Sequence, residues 1–187
     1  MKTMKFKTVS LFWILGLLCL SLNSNSQERK LSRQELKEVK KAQLQANFRA
    51  LDSLLNAKSF VLEADFLQNQ YGAMVNVTPM LNFIKVNETN GILQTGSNFG
   101  IGYNNVGGVT AEGPISKYEI NKDQKKMTFT VRFNLLTNIG QYDVFMTVTA
   151  DASARATILG LGPGKLTWNG HLETVENSGV FKGQDTF

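Results

Sequence analysis

The sequence predicts an α+β protein that is mostly β: an antiparallel meander sheet, curled into a half-barrel or barrel and covered by one N-terminal helix. Three observations predict it. Residues 33–57 carry apolar side chains at helical spacing, with no Gly or Pro among them. From residue 59 onward the period changes to two. Short turn sequences separate the two-period runs, and no helical pattern stands between them. Parallel strands need crossover connections, for which there is no room. One apolar face per strand implies a sheet covered on one side or closed around its own apolar face.

Residues 1–26 read as a secretory signal peptide. Lys2, Lys5 and Lys7 make a cationic start, and an apolar run covers residues 9–22. Ser24 and Ser26 are the small residues that suit cleavage before Gln27. The run is shorter than the ~20 residues of a membrane-spanning helix, and no other segment approaches that length, so no membrane span is expected. Cys19, the one cysteine, follows Leu17 and Leu18 rather than a small residue, so it reads as part of the apolar run and not as a lipidation site. The mature chain is then free of disulfides and of a thiol nucleophile.

An amphipathic helix follows within residues 27–58. Ser32 and Glu35 have the spacing of a capping box. Leu36, Val39, Leu44, Ala46, Ala50, Leu51, Leu54 and Leu55 form one broad side, with Lys37, Lys41, Gln45 and Arg49 largely opposite. The helix is expected to pack on the β domain, residues 59–187, as one folding unit with it. A basic helix at a membrane surface is the other reading. Only Phe48 and no Trp stands among its apolar residues, which favours packing.

The strands come next. In residues 59–67, Phe60, Leu62, Ala64 and Phe66 take one face, while Glu63 and Asp65 share the other. Residues 127–136 alternate most cleanly, with Met127, Phe129, Val131, Phe133 and Leu135 on the apolar face. In residues 142–150, Tyr142, Val144, Met146 and Val148 oppose Asp143, Thr147 and Thr149. In residues 165–175, Leu166, Trp168 and Leu172 oppose Lys165, Asn169, His171 and Glu173. Weaker strands cover 73–78, 81–86, 92–95, 115–120 and 155–161.

Residues 96–113 break the pattern with six glycines around Phe99 and Tyr103. Gly100-Ile101-Gly102 begins a dinucleotide fingerprint, but Asn105 stands where the third glycine belongs and no helix follows. A bulged strand or a long loop is the plain reading. The functional reading makes Phe99, Tyr103, Asn104 and Asn105 the candidate ligand-binding residues: glycine lets backbone approach closely, and the aromatics supply area for stacking.

The composition narrows the chemistry. With 42% hydrophobic and 19% charged residues, the chain is neither disordered nor collagen-like. The net charge of +5 includes the three signal lysines, so the mature balance is only slightly basic, and the basic excess lies in residues 28–58. No dense basic face marks a nucleic-acid partner. His171 is the one histidine, expected on a solvated face. One His without Cys is a poor start for zinc, and no cofactor, metal site or catalytic residue is expected. Glu63 and Asp65 are the carboxylates closest to a pair for acid–base glycoside chemistry.

Several short motifs resemble a known family. These are Asn82-Phe83-Ile84, the run Gly107-Gly108-Val109-Thr110-Ala111-Glu112-Gly113-Pro114-Ile115 with Tyr118 after it, and the order of signal, helix and Phe60-Val61-Leu62-Glu63-Ala64. Over essentially the whole mature chain the sequence resembles DUF4251, small exported proteins from Bacteroidetes defined by a domain of unknown function. The resemblance implies export, to the periplasm or the cell exterior, and brings no activity, cofactor or catalytic residue with it. The expected function is an exported non-catalytic binding or structural module, a carrier of a small apolar or sugar ligand. An unrecognised carbohydrate-active hydrolase using paired carboxylates is the alternative.

Overall fold

The computed structural model describes residues 32–97, 107–160 and 164–186. Helix α1 spans Arg33–Asn56. The strands are β1 Ser59–Gln68, β2 Met74–Asn76, β3 Phe83–Asn87, β4 Asn90–Thr95, β5 Val109–Asp123, β6 Thr128–Thr137, β7 Gly140–Thr149, β8 Ser153–Leu159 and β9 Lys165–Thr174. A single 3-10 turn, Pro79–Leu81, precedes β3. The chain divides into two compact units, Met1–Lys37 and Glu38–Phe187.

In the first unit, the described residues hold the start of α1. Ser32 N–H donates to Glu35 Oε2 at 2.8 Å, and Glu35 N–H donates to Ser32 Oγ at 3.2 Å. The expected capping box is therefore formed, and these bonds hold the Glu35 carboxyl below its ordinary value.

In the second unit, consecutive strands from β3 to β9 pair antiparallel, and β9 returns to pair with β1 from Phe60 to Gln68. That pairing closes an eight-strand antiparallel barrel of β1 and β3–β9, so of the two expected forms the closed one is adopted. Strand β3 pairs with Ser59–Glu63 of β1, and β2 takes over beside Phe66–Gln68. Closure brings two backbones so near that a side chain would not fit. A Cβ on Gly170 of β9 would lie 1.9 Å from the Glu63 carbonyl oxygen.

Two bulges reset the faces. In β1 the register shifts between Ala64 and Phe66. Ala64 is buried, Phe66 turns outward and is exposed, and Leu67 packs against the core instead. The strict alternation that places Phe66 inside is therefore wrong, because Asp65 is an extra residue in the ladder. In β5 the shift lies between Ser116 and Glu119, with Lys117 at φ 51°. It brings Tyr118 and Ile120 against the core.

Helix α1 lies where β1 starts and β5 meets β6. Phe48 stacks on Phe129 with ring centroids 4.5 Å apart. Lys122 Nζ pairs with Asp52 Oδ2 at 2.6 Å and sits over the Phe48 ring. Tyr118 donates its hydroxyl to the Leu55 carbonyl at 2.8 Å. Burial pushes the Tyr118 phenol well above its usual range. The buried side of α1 is Phe48, Leu51 and Leu55, with Leu44 and Leu54 beside them. Leu36 and Val39 are exposed, so the apolar side is narrower than the sequence spacing predicts and centres on Phe48.

Candidate functional site

The barrel interior is a packed core. Phe60, Leu62, Ile84, Leu93, Phe129, Met146, Ile158 and Trp168 have essentially no exposure and belong to one cluster. Trp168 stands opposite Ala156 in the β8–β9 ladder, and the small side chain leaves space for the indole. Its Nε1–H is buried without a partner among the described residues. Such an N–H costs about 1–3 kcal/mol. The rest of the cluster is apolar, so the described interior is a hydrophobic core.

The outer face divides into two halves. Over β1 and β3–β5 it is covered by the chain's own residues 175–186. Glu63, Phe83, Gln94 and Thr110 form one cross-strand row there. Ser178 Oγ donates to Glu63 Oε1 at 2.6 Å. Gln94 Nε2 donates to the Phe181 carbonyl at 2.8 Å and the Leu81 carbonyl at 3.3 Å. Gln94 Oε1 accepts from Gly183 N–H at 2.7 Å and Thr110 Oγ1 at 2.9 Å. Thr186 N–H reaches the Thr110 carbonyl at 2.9 Å. The covering segment thus bonds to the first, third and fourth members of the row and passes over the second. Phe83 and Gln94, outward by register, are consequently fully buried. Lys182 bonds to Glu112 and lies 3.0 Å from Asp185, and these carboxylates raise its pKa.

His171 sits at the margin of this covered half. Strand closure sets it opposite Glu63, with Nε2 3.7 Å from Glu63 Oε2 and Nδ1 3.6 Å from Asp65 Oδ2. It is partly exposed, as expected, but it is flanked by two carboxylates. The sequence spacing gave no sign of that flanking, because it arises from β9 pairing back onto β1. Ser178 donates to Glu63 rather than to the imidazole, so these groups do not form a hydrolase triad. Glu63 and Asp65 each lie against a different nitrogen of the ring.

Over β5–β8 no described segment covers the outer face, which carries a groove of about 340 Å³. Glu119, Arg132, Phe145 and Thr157 form one cross-strand row in it. Asn134, Asp143 and Leu159 form the next. The Arg132 guanidinium lies 4.8 Å over the Phe145 ring, and Asn134 donates to the Asp143 carboxylate. The β5 bulge adds Lys117 to the wall. A second stretch, of about 680 Å³, shares Glu119, Arg132 and Phe145 and continues toward Asn121 and Thr130. Both volumes lie within the range of ligand sites.

The candidate residues Phe99, Tyr103, Asn104 and Asn105 lie outside the described residues. Their flanks, Gly96 and Gly108, extend from β4 and lead into β5. Sequence reasoning missed the groove. The signal was Phe145, an aromatic on the polar face of β7 amid Asp143, Thr147 and Thr149. Among the described residues no group of three or more His, Cys, Asp or Glu is placed to hold a metal ion, and no helix is long and apolar enough to cross a membrane.

No curated protein matches the chain. A crystal structure of a DUF4251 family protein from Bacteroides eggerthii DSM 20697 is similar, at 27% sequence identity and a TM-score of 0.60. The similarity covers 73% of this chain and 93% of that one. The family model for a domain of unknown function, DUF4251, matches residues 42–172, which takes in most of α1 and the whole barrel up to Leu172 in β9. The chain belongs to the DUF4251 family.

Proposed function

We propose that this protein is an exported, non-catalytic binding module whose ligand surface is the bare outer groove over β5–β8. The observation that carries the reading is Arg132 held over Phe145 in a groove, on the half of the barrel that the described residues leave uncovered. The filled interior speaks for the outside over the carrier cavity expected from sequence. Both Glu63 and Asp65 are engaged with the His171 ring, which is weaker support for a glycosidase pair. Export rests on the cationic and apolar residues 1–26.

Native mass spectrometry of protein taken from the periplasm tests both parts. The expected mass starts at Gln27, with a bound species lost in Arg132→Ala and in Phe145→Ala. Absence of the protein from the periplasm refutes export, and a retained N-terminus refutes cleavage before Gln27. A species that survives both substitutions, or none on the wild type, refutes the outer-groove reading.

A further inference from the structure

Resting on the outer-groove reading, we infer that the groove takes a neutral oligosaccharide chain. Charge is the first ground. Lys117 and Arg132 stand with Glu119 and Asp143, and Lys122 in the second stretch is paired with Asp52, so the groove is close to neutral while offering both strong donors and strong acceptors. A phosphate or sulfate would meet the two carboxylates, and a cation would meet Lys117 and Arg132. A hydroxyl donates and accepts at once, so a polyhydroxylated ligand uses both sets.

Availability is the second ground. Among the described residues, Lys117, Glu119 and Arg132 have no ion-pair partner within 4.0 Å. The cation–π contact holds the Arg132 fork in one plane without using its in-plane donors. Phe145 and Leu159 are exposed beside them and give an apolar floor for the C–H faces of sugar rings.

Shape is the third ground. The two stretches join through Glu119, Arg132 and Phe145, so the groove runs along the strands. Same-face residues repeat every ~7 Å along a strand. The three rows, from Asn134 through Arg132 to Thr130, therefore span roughly 14 Å. That suits several linked rings better than one.

Titration calorimetry with maltohexaose, mannohexaose and the N-acetylglucosamine tetramer tests this, with inorganic phosphate and a heparin tetrasaccharide as anionic probes. At least one neutral probe is expected to bind saturably. Binding should weaken about tenfold in Phe145→Ala and Arg132→Ala, and less in Phe145→Leu and Arg132→Lys. The thermal midpoints should stay at the wild-type value, which separates lost contacts from lost folding. Saturation by the anionic probes alone overturns the sugar assignment. So does the absence of binding to every neutral probe. If the periplasmic adduct is still lost in the groove variants, only the sugar assignment falls. If no adduct exists either, the outer-groove reading falls with it.

Discussion

The two halves of the barrel's outer face have the same strand geometry and opposite fates. Over β3–β5, a polar residue, Gln94, is fully buried because residues 175–186 lie across it and satisfy its amide. Over β5–β8, a large apolar residue, Phe145, stays exposed beneath an arginine. Polarity does not explain which is covered, since it runs the wrong way. What differs is whether another segment of the chain supplies backbone N–H and C=O groups to that face. The teaching is that a closed barrel's outside is not uniform solvent-facing surface: one half is an interior built late in the sequence, and no described segment covers the other.

Deleting residues 178–187 should break the contrast most severely. It exposes Phe83, worth about 1.5–3 kcal/mol, and removes several hydrogen bonds worth about 0.5–1.5 kcal/mol each. A loss of roughly 4 kcal/mol or more is expected from chemical denaturation. A midpoint within error of wild type would mean that the segment covers nothing of consequence.

Gln94→Ala is the single-residue version. It leaves the Gly183 N–H and the Phe181 carbonyl without the amide that meets them in a buried site, so about 3 kcal/mol is expected. Its counterpart on the bare face, Arg132→Ala, should change stability by no more than about 0.5 kcal/mol, as exposed substitutions do. Equal effects from the two would erase the distinction between covered and bare halves.

A pH-dependent effect, smaller than that of Gln94, belongs to Lys182. Its pKa is raised, first by the hydrogen bond to Glu112. A raised pKa stabilises the fold at pH values below the unfolded lysine's ~10.4 and loses that contribution as pH rises through the folded value. The side chain is over a third exposed, so the contribution is under about 1 kcal/mol. Comparing Lys182→Met with wild type, the stability gap should shrink above about pH 10.5 and stay constant at neutral pH. A gap that widens in alkali would contradict the assignment.

Much of the fold was legible because β6 and β7 alternate without interruption, so that period two reads directly as inside and outside. The same rule misplaced Phe66, since a bulge adds a residue without leaving a mark in local composition. The helix start was legible in Ser32 and Glu35, whereas its buried side depended on Phe129, distant in sequence. Residues 175–186 carry no periodicity, and they are held partly through their own backbone groups, which every sequence possesses. The candidate site was illegible for a related reason. Glu119, Arg132, Phe145 and Thr157 become neighbours only through three successive strand registers.

The seam between β1 and β9 has a consequence for timing. Its partners, such as Phe60 and Thr174, stand more than a hundred residues apart. Contacts that distant in sequence form slowly, because a large loop must close before any of them forms. Until β9 has been made, β1 lacks the partner that completes the ring, and the barrel has open edges. A nascent chain is therefore kept from locking into its final form until nearly all of it has been synthesised. The last strand to arrive is the one that makes the structure permanent.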